Sequence, residues 1–206
     1  MLFNSIEFVL FFILFCFIYW KFLGKKREYQ NLFILLGSYF FYGWWDYRFL
    51  ILIISSTFVD FYVAKLISIQ NSFSKQKILL FFSIIFNLSL LGFFKYFNFF
   101  IESFQYFLQL IGIEYINDFH LNIILPVGIS FYTFQTMSYT IDVFRKQITP
   151  TNSLVEFGCY VSFFPQLVAG PIEKSKNLLP QFQNERVFDH NKSIYGFHLI
   201  IWGLFK

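Results

Sequence analysis

The chain has 206 residues, of which 57% are hydrophobic and only 14% charged, with 35 Phe, 13 Tyr and 4 Trp. A soluble domain of average make-up holds about 25% charged residues, so a water-soluble globule is excluded and an integral membrane protein is expected. The net charge of +4 is no sign of nucleic-acid binding, because the basic residues sit in short loops between apolar runs, where they set orientation.

The first apolar run, residues 5–23, is long enough at about 1.5 Å per residue to cross most of a hydrocarbon core roughly 30 Å thick. Its positive cluster, Lys25, Lys26 and Arg27, follows the run, and no small-residue cleavage site comes after it. It therefore reads as a retained helix rather than a signal peptide. Further spans are expected over 31–45, 49–67, 78–94 and 123–142, and another starts at Ile194 and reaches Lys206. The basic loops (Lys25, Lys26 and Arg27; Lys75 and Lys77; Arg145 and Lys146) fall on alternate sides. By the positive-inside rule they are cytoplasmic and the N-terminus is outside. The intervening segment 96–122 would lie outside, with Glu102, Glu114 and Asp118.

Between spans four and five, Asn98, Glu102, Gln105 and Gln109 recur at spacings of four, three and four. This polar stripe predicts an amphipathic helix over 96–113 that lies in the interface, lines a groove or simply wets one side. The two cysteines imply no disulfide framework, and Cys16, in mid-span, is a packing residue. The Asn-x-Ser triplets at Asn87 and Asn191 are discounted as glycosylation sites, one lying within a span and the other on the cytoplasmic side.

Asp60 falls inside span three, where a carboxylate is costly and marks a partner or a pathway. The preferred reading places it near the cytoplasmic boundary, paired with Lys65 or wetted by headgroups. Asp142 and Arg145, three apart, share a helix face. A structural ion pair is the preferred role, with a contact to a phosphate or acyl donor as the sharper one. In the run FFPQLVAGPIEK, Pro165 and Pro171 flank Gly170 and forbid one unbroken helix. A re-entrant segment is expected, offering Gln166 and Glu173 to a cavity. Pro126 and Gly128 above Thr133, Gln135 and Ser138 form a second broken-helix pattern. Helix packing by small and hydroxyl residues is the alternative for both. His120, His190 and His198 have no Cys, Asp or Glu at metal-ligand spacing, so no metal site is expected, and His198 reads as a satisfied core histidine.

Four pieces, SYFFYGWW (38–45), LGFFKYFNFF (91–100), LPVGISFYTFQTMSYTIDVFR (125–145) and FFPQLVAGPIEK (163–174), resemble the membrane-bound O-acyltransferase family, in its alginate O-acetyltransferase-like branch. The resemblance implies an all-α polytopic protein with about six transmembrane helices, an interfacial helix and a re-entrant segment, in one membrane domain over residues 1–206. It implies transfer of an acetyl group, from a cytoplasmic donor such as acetyl-CoA or an acyl carrier, to hydroxyls of a surface or exported polysaccharide such as alginate. The bacterial inner membrane would be its location, membrane lipid its surroundings and an extracytoplasmic acyltransferase its partner. The family's histidine general base lies well downstream of the FFPQLVAGPIE block, so no catalytic residue is carried over. Gln135, Asp142, Arg145, Gln166 and Glu173 are candidate lining residues of the substrate funnel. Because members are more than twice this length, the chain is expected to be an N-terminal half that is inactive alone. A non-enzymatic transport or scaffold subunit built on the same broken helices is the competing reading.

Overall fold

A computed structural model describes residues 1–24, 26–112, 124–168 and 170–205. Among these, all regular structure is helical. Helix α1 (Ile6–Lys21) starts at Ser5, whose Oγ accepts from the Phe8 N–H at 3.2 Å. Glu7 in its first turn and Lys21 in its last both suit the helix dipole. Helix α2 (Arg27–Asp46) passes through a 3-10 turn (Tyr47–Phe49) into α3 (Leu50–Ile69). Helices α4 (Phe73–Leu110) and α5 (Ile129–Phe144) follow. Three short helices come next, α6 (Leu154–Ser162), α7 (Phe164–Leu167) and α8 (Ser175–Gln183), and then α9 (His190–Phe205).

Each apolar run expected to be a span falls on a helix: α1, α2, α3, α4, α5 or α9. Two helical segments, Arg27–Ile69 and Phe73–Leu110, are long and apolar enough to cross a membrane. On α4, Ile78, Phe81, Phe82 and Ile85 are exposed. An apolar surface of that kind suits lipid rather than water.

Two expectations are corrected here. The polar stripe at 98–109 does not form a separate interfacial helix, because α4 runs unbroken for 38 residues. No proline lies between Phe94 and Gln109, so nothing forces the helix to stop. At about 1.5 Å per residue it is roughly 57 Å long, well beyond one hydrocarbon core, and the stripe occupies its far end. Helix α6 was not anticipated, although Ser153 and Glu156 form a Ser-x-x-Glu capping box. Ser153 Oγ accepts from the Glu156 N–H at 3.3 Å, the usual start signal ahead of an apolar run.

Helix α3 is central and packs on α4, α5 and α6, while α2 packs on α6 and α7. Phe164 of α7 is 2% exposed and meets the rings of Phe11, Phe15 and Phe41 with centroids 5.4, 5.2 and 5.6 Å away. The apolar residues beside Pro165 are thus satisfied by protein interior. Tyr139 and Phe157 close the centre, their centroids 4.5 Å apart. Helix α9 buries none of its residues. Asp189 caps it, accepting from the Lys192 N–H at 3.1 Å, and that backbone bond holds its carboxyl below the ordinary carboxylate range. His198 on α9 is exposed, not a core histidine, because α9 has no close helix neighbour among the described residues. His190 is exposed too, and His120, Glu114 and Asp118 lie outside the described residues.

Candidate functional site

The two Pro- and Gly-rich blocks, far apart in sequence between Leu125 and Lys174, meet along one seam. Pro126 and Gly128 lie before α5 rather than within it, and Gly128 caps the helix in the left-handed conformation, φ 75°. A Cβ at Gly128 would stand 2.8 Å from the Leu167 carbonyl oxygen, so the chain before α5 rests directly on the end of α7. Two helical turns further, the fully buried Gln135 donates from Nε2 to the Tyr160 carbonyl at 2.6 Å. The Tyr160 hydroxyl donates to the Glu173 carbonyl at 3.3 Å, and the Ser175 hydroxyl donates to Asp142 Oδ2 at 3.3 Å. Gly128 and Asp142 thus join the α5 region directly to the broken segment 163–175, while Gln135 reaches it through Tyr160 of α6.

The five sequence candidates are distributed unevenly over this seam. Gln135 and Gln166 are buried, Asp142 and Glu173 half-buried, and Arg145 exposed. Asp142 forms no ion pair with Arg145 and instead accepts from Ser175, because the start of α8 packs against the end of α5. Gln135 Oε1, Thr133 Oγ1 and Gln166 Nε2 are buried without a hydrogen-bond partner among the described residues. Buried polar atoms are nearly always paired, which singles these three out within the seam.

A cleft of about 870 Å³ opens where α5 ends, lined by Arg27, Thr151, Glu156, Ser175, Lys176 and neighbouring residues of 147–153 and 179–183. Arg27 pairs with Glu156 at 3.6 Å and also donates to the Gln183 carbonyl. Thr151 donates to Glu156 at 2.9 Å, and its N–H donates to the Tyr139 hydroxyl at 3.0 Å. Ser175 belongs to both cleft and seam. None of the five candidates lines this cleft, and its residues were read only as topology-setting charge (Arg27) or loop. Lys176, two residues beyond FFPQLVAGPIEK, was the available signal.

Asp60 is the largest departure from expectation. It is wholly buried and makes no ion pair with Lys65, whose Nζ instead donates to the Asn152 carbonyl at 3.2 Å and lies 4.4 Å from the Phe61 ring centroid. Asp60 accepts from the Ser83 hydroxyl, from Asn87 Nδ2 at 2.8 Å and from the Thr140 hydroxyl at 3.2 Å. Ser56 donates to Asn87 Oδ1 at 2.7 Å and lies 3.2 Å from the Thr136 hydroxyl. The carboxyl thus ties α3 to α4 and α5 through neutral donors. Two of its donors come from α4 and one from α5, so no pattern within span three could reveal them. The burial of Asn87 also agrees with discounting its glycosylation triplet. Both cysteines are free thiols, and Cys159 is buried with its Sγ 3.0 Å from the Asn31 carbonyl.

No family model and no solved structure matches the chain. Curated relatives do. The probable alginate O-acetylase AlgI of Pseudomonas aeruginosa is 35% identical over 183 residues, 87% of this chain and 34% of that protein. The protein of the same name in Pseudomonas syringae is 38% identical over 160 residues, 77% of this chain and 30% of its own. The peptidoglycan O-acetyltransferase of Helicobacter pylori is 31% identical over 209 residues, 89% and 38% respectively. The chain therefore spans about a third of the length of the curated relatives it matches.

Proposed function

We propose, from this chain's relationship to the alginate O-acetylase-like O-acyltransferases, that it forms part of a membrane enzyme transferring acetyl groups to hydroxyls of an exported or cell-surface polysaccharide. The observation that carries the reading is the seam: two of the four sequence blocks that bear the resemblance, 125–145 and 163–174, are one structural unit, held by Gly128, Gln135, Tyr160 and Ser175. The relatives are O-acetyltransferases by name.

In this reading six helices cross the bacterial inner membrane with the N-terminus outside, and the segment 163–174 re-enters the bundle. The cleft at the end of α5 then faces the cytoplasm and is the donor-side mouth. Its exposed Lys176 suits the phosphates of acetyl-CoA or the phosphopantetheine arm of an acyl carrier. Asp142 and Ser175 link that mouth to the seam, so a donor seated in the cleft would lie against the broken segment. An extracytoplasmic acyltransferase would carry the acetyl group onward.

Lys176 is exposed, so its replacement spares the core. In host membranes supplied with labelled donor, Lys176→Gln is expected to raise KM for the donor about tenfold, the worth of one charge-assisted hydrogen bond. The maximal rate should change little. An unchanged KM would remove the donor from this cleft.

A further inference from the structure

Beside the donor cleft, at the same end of the bundle, lies a second cleft of about 1100 Å³ with Lys21, Lys26, Arg27 and Arg186 in its walls and Glu185 as its one carboxylate among the described residues. Arg27 is engaged by Glu156 and Gln183, and Arg186 donates to Asn31. Neither Lys21 nor Lys26 forms an ion pair among the described residues, and Lys26 Nζ lies 5.3 Å from the Tyr29 ring centroid. Two further atoms lack partners among the described residues: Gln30 Nε2, on a side chain only 2% exposed, and Arg186 Nε. Gln30 is in the first turn of α2, and no side chain caps that terminus. Free donors at the positive end of a helix, flanked by lysines, favour an anion.

An apolar groove of about 240 Å³ adjoins the cleft, sharing Trp20 and Arg186 with it and running along Phe12, Cys16, Phe163 and Leu178. Trp20 and Phe188 meet edge to face, 5.2 Å between centroids, where the two join. An anion site that opens into a hydrocarbon groove selects an amphiphile. We propose that cleft and groove together bind an anionic phospholipid, with its phosphate ester at Gln30 and the lysines and an acyl chain along Phe12 and Phe163. The phosphate chemistry is shared with soluble phosphate esters, but the groove has work only for a lipid.

The test uses the full chain purified in mild detergent, with bound lipid counted by native mass spectrometry. Phosphatidylglycerol should be retained in preference to phosphatidylcholine of the same chains. Lys21→Gln and Lys26→Gln should each lower that retention about fivefold, the effect of one basic residue on an anionic lipid. Gln30→Leu, which keeps the volume and removes the unpartnered amide, should lower it as well, with the helical circular dichroism unchanged. Equal retention of the two lipids, or lysine variants that bind like the parent, would overturn the proposal. So would inorganic phosphate displacing the lipid at the concentration at which glycerol phosphate does, since the groove would then contribute nothing.

Discussion

Asp60→Ala is expected to destabilise the bundle by about 2–4 kcal/mol, measured by reversible denaturation of the chain in detergent. The removed carboxyl is the acceptor for Ser83, Asn87 and Thr140. Thr140 has a second acceptor in the Thr136 carbonyl at 3.2 Å, and Asn87 Nδ2 also donates to the Ser83 carbonyl at 3.0 Å. The Ser83 hydroxyl and one N–H of Asn87 would be left without acceptors. An unsatisfied buried donor costs about 1–3 kcal/mol, and the vacated space adds to it. Asp60→Asn is the informative companion. Its carbonyl can accept from Asn87 while its amide donates to the two hydroxyls, which accept as readily as they donate, so about 1 kcal/mol or less should be lost. If Ala and Asn cost the same, the charge matters and not the hydrogen-bond pattern. If neither costs anything, Asp60 does not hold the three helices together.

Gly128→Val should abolish polysaccharide O-acetylation in cells while the protein still reaches the membrane. Two penalties coincide at this position. A left-handed backbone costs an ordinary residue about 1–2 kcal/mol, and a branched one more. Any Cβ would also stand 2.8 Å from the Leu167 carbonyl oxygen, which belongs to backbone and cannot turn aside. Relief requires α5 and α7 to separate, which pulls apart the two blocks that the proposed function depends on. Gly92→Ala is the matched control. It lies within α4 with nothing within 4 Å of the added Cβ, and alanine should stabilise that helix by about 0.5–1 kcal/mol. Normal acetylation in the Gly128 variant would show that the seam is not needed for the reaction.

Sequence alone carried the membrane character, the positions of the long helices and the family resemblance, which the curated relatives bear out. These are local properties: apolar runs of span length, and motifs whose order along the chain is itself the signal. The seam was half legible. Pro165, Gly170 and Pro171 announced a break, and Gly128 a turn, but that the two breaks touch depends on how α5 lies against α6 and α7. What could not be read were the partners. Asp60 looked like a boundary residue with Lys65 five positions away, yet its donors come from α4 and α5. Asp142 and Arg145 share a helix face by spacing, but Ser175, from another helix, takes the carboxylate. The polar stripe of α4 was rightly seen as helical and wrongly separated, since amphipathic periodicity marks a face and says nothing about where a helix stops.

Whether this chain serves an O-acyltransferase is decided by the ester-linked acetate on the host's surface and exported polysaccharides. It should be assayed after deletion of the coding sequence and after restoring the parent chain or Gly128→Val at equal membrane abundance. The expected result is loss of acetate on deletion, recovery with the parent and no recovery with the variant. Acetate that persists at the wild-type level after deletion would contradict the acyltransferase reading and favour a transport or scaffold role.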